Sequence, residues 1–141
     1  MTKKVLLTLL CGAIGLLPNS NLIAADSPDL ENFAKGMKRI GKFNKEQKAD
    51  LEAKSADKIA KDTAEVAKIY TDMVGFWKAR KVEDATKWSE ESAAAATAAS
   101  AAAKAGDWDK VKASVGAVTK NCKGCHDAHR EKLDDGSYKI K

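Results

Sequence analysis

From Trp108 toward the C-terminus the apolar and cysteine positions fall in a strict helical rhythm. Trp108, Val111, Val115, Val118, Cys122, Cys125 and His129 step by 3, 4, 3, 4, 3 and 4. That spacing keeps one face of an α-helix turned toward a core, and no strand can satisfy it. The stripe runs directly into Cys-Lys-Gly-Cys-His, residues 122–126, followed by Asp127, Ala128, His129 and Arg130. A helix that delivers two cysteines and a histidine to the end of its buried face limits both fold and chemistry.

The rest of the chain reads as helix. Its two prolines, Pro18 and Pro28, stand near the start, and nothing alternates with the period of a strand. Ser27 as N-cap, Pro28 in the first turn, and Asp29 and Glu31 near the positive dipole end predict a first helix. Its stripe is Leu30, Phe33, Met37 and Ile40, and Gly41 is expected to help end it. Asn44 with Gln47 resembles a capping box for a second helix carrying Leu51, Ile59, Val66, Ile69, Tyr70 and Met73. A break is expected at Gly75 and the following FWKARK segment. A third helix is predicted over Glu83–Lys104, rich in alanine, which either permits close helix contact or leaves a solvated helix with little to bury. Gly106 suits its C-terminal cap, and Asp107 the N-cap of the fourth helix. Four amphipathic helices with short loops predict an all-α, antiparallel four-helix bundle.

The N-terminus reads as a leader. Lys3 and Lys4 precede an apolar run from Val5 to Leu17, then a break at Pro18–Ser20 and small residues at Ala24 and Ala25. The run is too short to span a bilayer and has the build of a secretory signal peptide. The expected division is therefore residues 1–25 as signal and 26–141 as the functional domain, with a periplasmic destination and no membrane insertion after cleavage. Cys11 follows the bulky Leu10 and reads as an apolar leader residue. Loss of the leader removes two lysines and no acid, taking the net charge from +5 to +3. Lysines interleave with Asp and Glu as on a solvated face, and no basic stripe with aromatics points to nucleic acid.

The mature chain then keeps only Cys122 and Cys125. A disulfide across so short a loop would stabilise the fold little, so the pair is read as chemical. Cysteines at i and i+3 share a helix face and can form thioethers to the two vinyl groups of one haem. His126 is placed to reach the iron. A structural zinc site wants four ligands, and only His129 is left to help. A thioredoxin-like dithiol wants a βαβ setting that the chain does not offer.

With CKGCHDAHR near the C-terminus and AGDWDKVKASVGAVTKNC before it, the chain resembles the class II c-type cytochromes, which include cytochrome c′ and its low-spin relatives. The resemblance implies one covalent haem c attached through Cys122 and Cys125, with His126 as proximal ligand, and often a homodimer. It also implies a place for Arg130 beside the proximal imidazole. On the distal side it divides. Met37 matches the position of a methionine ligand in low-spin electron carriers. In five-coordinate cytochromes c′ that bind NO or CO, the same position only packs over the iron, and Met37 also sits on an apolar stripe where methionine is ordinary filler. Met73 is a weaker candidate and reads as core. Two positions depart from the cytochrome c′ pattern: Phe33 stands where an arginine near a propionate is common, and His129 replaces an aromatic. Trp77, Trp88 and Trp108 read as packing residues. The expected function is periplasmic electron transfer with redox partner proteins, the alternative a small-gas ligand, and catalysis is not expected.

Overall fold

The computed structural model describes residues 28–141. The expected leader, 1–25, and the Ser27 cap lie outside that range. Five helices follow in order: α1 (Pro28–Glu52), α2 (Ala56–Ala79), α3 (Glu83–Ala105), α4 (Trp108–Thr119) and α5 (Cys122–His129). A small antiparallel hairpin, β1 (Arg130–Lys132) and β2 (Tyr138–Ile140), closes the chain. The helices pack against one another as an all-α bundle, with α4 and α5 together forming its fourth member.

Two expected helix ends move. The first helix runs unbroken through Gly41 and past Asn44, so the Asn44–Gln47 pair is mid-helix and caps nothing. Likewise α2 passes through Gly75 and ends only at Ala79. The real turns use lysines in the left-handed region, Lys54 at φ 48° and Lys81 at φ 58°. Glycine is the ordinary residue for that conformation, which is why a lysine there gives little signal. At the third junction the expectation holds: Gly106 closes α3 at φ 71°, and Asp107 accepts a hydrogen bond from the Lys110 backbone N–H at 3.1 Å.

The core has two characters. Toward α1 and α2 it is bulky, with Ile40, Phe43, Tyr70, Met73, Phe76 and Trp77 buried. Phe33, Phe76 and Trp77 form a mutual aromatic cluster with ring centroids 4.3–5.4 Å apart. The buried face of α3 is small: Ala85, Ser89, Ser92, Ala96, Ala99, Ser100, Ala102 and Ala103. The alanine-rich stretch is thus a close-contact seam on its inner face. Ser100 donates to the Ala60 carbonyl of α2 at 2.8 Å within it, so the small polar groups there are satisfied. Val111, Val115 and Val118 of α4 complete the packing.

The last helix does not run straight into the cysteines. It breaks at Lys120–Asn121, and Asn121 Nδ2 donates to Glu91 of α3 at 2.7 Å, tying the break down. The cysteine stripe therefore continues on a separate eight-residue helix, α5.

Candidate functional site

One cleft gathers most of the residues singled out by sequence. Met37, Ile40, Gly41 and Asn44 of α1 form one wall. Tyr70, Met73 and Trp77 of α2, Trp88, Ser89 and Ser92 of α3, and Asn121, Cys122, Cys125 and His126 complete the lining. The cavity between them is about 90 Å³, smaller than an ordinary preformed ligand pocket. A wider groove between α1 and α2 is lined by Phe33, Arg39, Glu65, Phe76 and Arg80, and contains neither cysteine nor histidine. The chemistry sits in the smaller space.

Each donor is set by its element. Cys122 and Cys125 lie one turn apart on α5, unpaired and half-buried. Burial, with Cys122 and Asp84 nearby, pushes the Cys125 thiol up to about 11, so it stays protonated at neutral pH. The Tyr70 hydroxyl lies 3.8 Å from Cys122 Sγ. Burial chiefly, and then Cys122, raises its pKa, so it too remains a neutral donor. His126 is half-buried; burial first, and then the positive charge of Arg130, lower its pKa. Both effects favour the neutral imidazole, the form that ligates metals. Asn44 Oδ1 is buried without a hydrogen-bond partner.

This donor set fits a haem. Two free thiols a helical turn apart and an imidazole at the next residue share the cleft with the Met37 thioether of α1, among aromatic and aliphatic side chains. Met73 is buried and lines the cleft beside them.

Arg130 and His129 lie outside the cleft lining. At Arg130 the backbone leaves the helix and becomes extended (φ −120°, ψ 131°), and the guanidinium sits 4.1 Å over the Tyr138 ring. His129 packs against Trp77 and Trp88, at centroid distances of 5.3 and 6.1 Å, from behind the cleft. Its Nε2 lies 3.0 Å from Asp84. Phe33, in place of the arginine, belongs to the aromatic cluster with Phe76 and Trp77. Sequence reasoning missed the cleft positions of Asn44, Tyr70, Ser89 and Ser92. Tyr70 carried a signal, because it lies on the α2 stripe; Asn44 was masked by its resemblance to a cap.

Comparison with known proteins bears on the same residues. A family model described as Cytochrome C′ matches residues 23–130. A cytochrome c′ from Alcaligenes xylosoxydans xylosoxydans is 61% identical over 32 residues, 23% of this chain and 25% of that protein. A cytochrome c′ from Rubrivivax gelatinosus is 38% identical over 64 residues, 45% of this chain and 43% of that protein. The matched stretches thus span between a quarter and a little under half of these relatives. No solved structure matches the chain.

Proposed function

The chain belongs to the cytochrome c′ family, whose cofactor is a covalently attached c-type haem, and from that premise we propose a monohaem electron carrier. Cys122 and Cys125 would hold the haem by thioethers, with His126 as the proximal ligand and Met37 as the distal one. The observation that carries this reading is the cleft itself, which Met37 of α1 shares with His126 and both cysteines. When bound, the haem supplies a one-electron change at its iron.

The chain's own residues do the rest. Tyr70 and the α5 backbone orient Cys122, while Trp77 and Trp88 exclude water from the cleft. With Met37 and His126 both holding the iron, the thioether would favour the reduced state and raise the potential. The carrier works in the periplasm, delivered by the leader at residues 1–25, and exchanges electrons with protein partners rather than catalysing a reaction. A homodimer and a role for Arg130 beside the imidazole belong to the same reading. Among the described residues no helix is long and apolar enough to cross a membrane.

A second reading has its own support. Met37 packs against the hydrophobic core, as a filling residue would, and Ile40 one turn on is buried beside it. Here the far side of the iron is free for a small gas such as NO or CO. The absorption spectrum of the oxidised, exported protein separates the two. A low-spin spectrum with the far-red band of methionine on ferric haem is expected. A high-spin spectrum without that band would overturn Met37 ligation, and a pyridine haemochrome without a c-type signature would overturn the site.

A further inference from the structure

Two spaces meet at one side chain. The groove between α1 and α2 measures about 680 Å³ and the cleft about 90 Å³. Among the described residues, Met73 alone lines both. The partition follows the contact between the two helices. Gly36, Ile69 and Phe76 line the groove, and the next residue in each case, Met37, Tyr70 or Trp77, lines the cleft. Within that wall a Cβ on Gly36 would fall 3.1 Å from Met73 Cε. The tip of Met73 therefore lies in the slot that a side chain at position 36 would fill.

Met73 is buried, and any apolar residue could fill such a place. Methionine is unbranched with three rotatable bonds, so it can leave a slot without moving the backbone. An ion crossing this apolar wall would shed its water without gaining hydrogen bonds, whereas a small neutral molecule would lose little. We infer that Met73 is a gate that determines which ligands reach Met37. Its side chain swings from the slot beside Gly36 and passes small neutral molecules between the groove and the cleft. The inference rests on the site reading above, with the haem in the cleft, and adds to it a route and a size limit. Closed, the gate shields Met37; open, it admits a diatomic ligand.

The test is the kinetics of carbon monoxide on the reduced, haem-bearing Met37→Leu chain, in which position 37 offers no ligand. A gate is a barrier between two spaces, so it changes entry and escape by the same factor and leaves affinity alone. Met73→Ala removes the obstruction, and association and dissociation should both rise several-fold. Met73→Ile keeps most of the volume but is stiff at χ1, so both rates should fall. The second variant also covers failure of the first, which opens a cavity, to fold. n-Butyl isocyanide is neutral but longer, and should gain more from Met73→Ala than carbon monoxide does. Rates that ignore both substitutions, or an affinity that moves because only one rate changes, would overturn the gate. An equal gain for the two ligands would overturn its size limit. A wild-type chain without c-type haem would instead overturn the site reading beneath it.

Discussion

The imidazole of His129 lies with Nε2 3.0 Å from both carboxylate oxygens of Asp84, tying α5 to the first turn of α3. The same ring packs against Trp77 and Trp88, which line the cleft, so the pair braces the cleft from outside. His129→Phe keeps the ring contacts and loses the bond. It should lower stability by about 0.5–1 kcal/mol, a fall in Tm of a few degrees by thermal melting. Asp84→Asn should do the same, and combining the two should cost little more than either alone.

Where α1 crosses α2, Gly36 has no room for a side chain. A Cβ there would fall 2.8 Å from Ile69 Cγ2 and 3.1 Å from Met73 Cε. Ile69 is β-branched and yields poorly. Gly36→Ala should therefore destabilise by about 1 kcal/mol net, an overpacking cost of roughly 1–3 kcal/mol less about 1 kcal/mol of helix propensity. It should also change the absorption spectrum, because Met37 is the next residue and moves with α1. Gly75 is the control: nothing lies within 4 Å of its would-be Cβ, so Gly75→Ala should stabilise by about 0.5–1 kcal/mol with the spectrum unchanged.

How much of this was readable in advance follows from how local each cause is. The stripe from Trp108 to His129 is a local repeat, and it foretold both the packing of α4 and the arrival of the cysteines at the cleft. The α1 stripe likewise marked Met37 as a partly buried position, while its proposed role came from the family resemblance rather than from the stripe. The ends of α1 and α2 were not, because Lys54 and Lys81 take the conformation usually marked by glycine. The hairpin was also hidden: three-residue strands are too short to show alternation, and their pairing is held by Arg130, Tyr138 and Ile140 together. The tie between His129 and Asp84 spans 45 residues, so only the folded bundle brings them together.

Removing Met37 gives the sharpest readout of the distal side. If its thioether ligates, Met37→Ala should convert the oxidised protein from low to high spin. It should also lose about 2–4 kcal/mol of stability by opening a cavity next to Ile40. Met37→Leu restores most of the volume but no ligand, so it should recover stability and stay high-spin. Absorption spectra and chemical denaturation of both variants check the two effects separately.

Acid should loosen the contact between α1 and α2. Arg39 donates to Asp62 at 2.7 Å, and Lys58 reaches the other oxygen at 2.9 Å. Burial works to raise the Asp62 pKa, but Lys58 and Arg39 outweigh it and the net shift is downward. A carboxylate with a depressed folded pKa lends stability above its unfolded pKa, and that stability is lost as pH falls through the folded one. Asp62→Asn should thus cost about 1 kcal/mol at neutral pH. The gap from wild type should close as pH drops below about 4, measured by denaturation across pH.

The small-residue face of α3 separates what can vary from what cannot. Ala96, Ala99 and Ser100 are buried there, and Ser100 bonds the Ala60 carbonyl of α2, so growth in side-chain size on that face is expected to be costly. Met37 and Ile40 stand on α1 and line the cleft. Exchange of Met37, the proposed distal residue, is therefore expected to leave the scaffold that holds the cleft as it is.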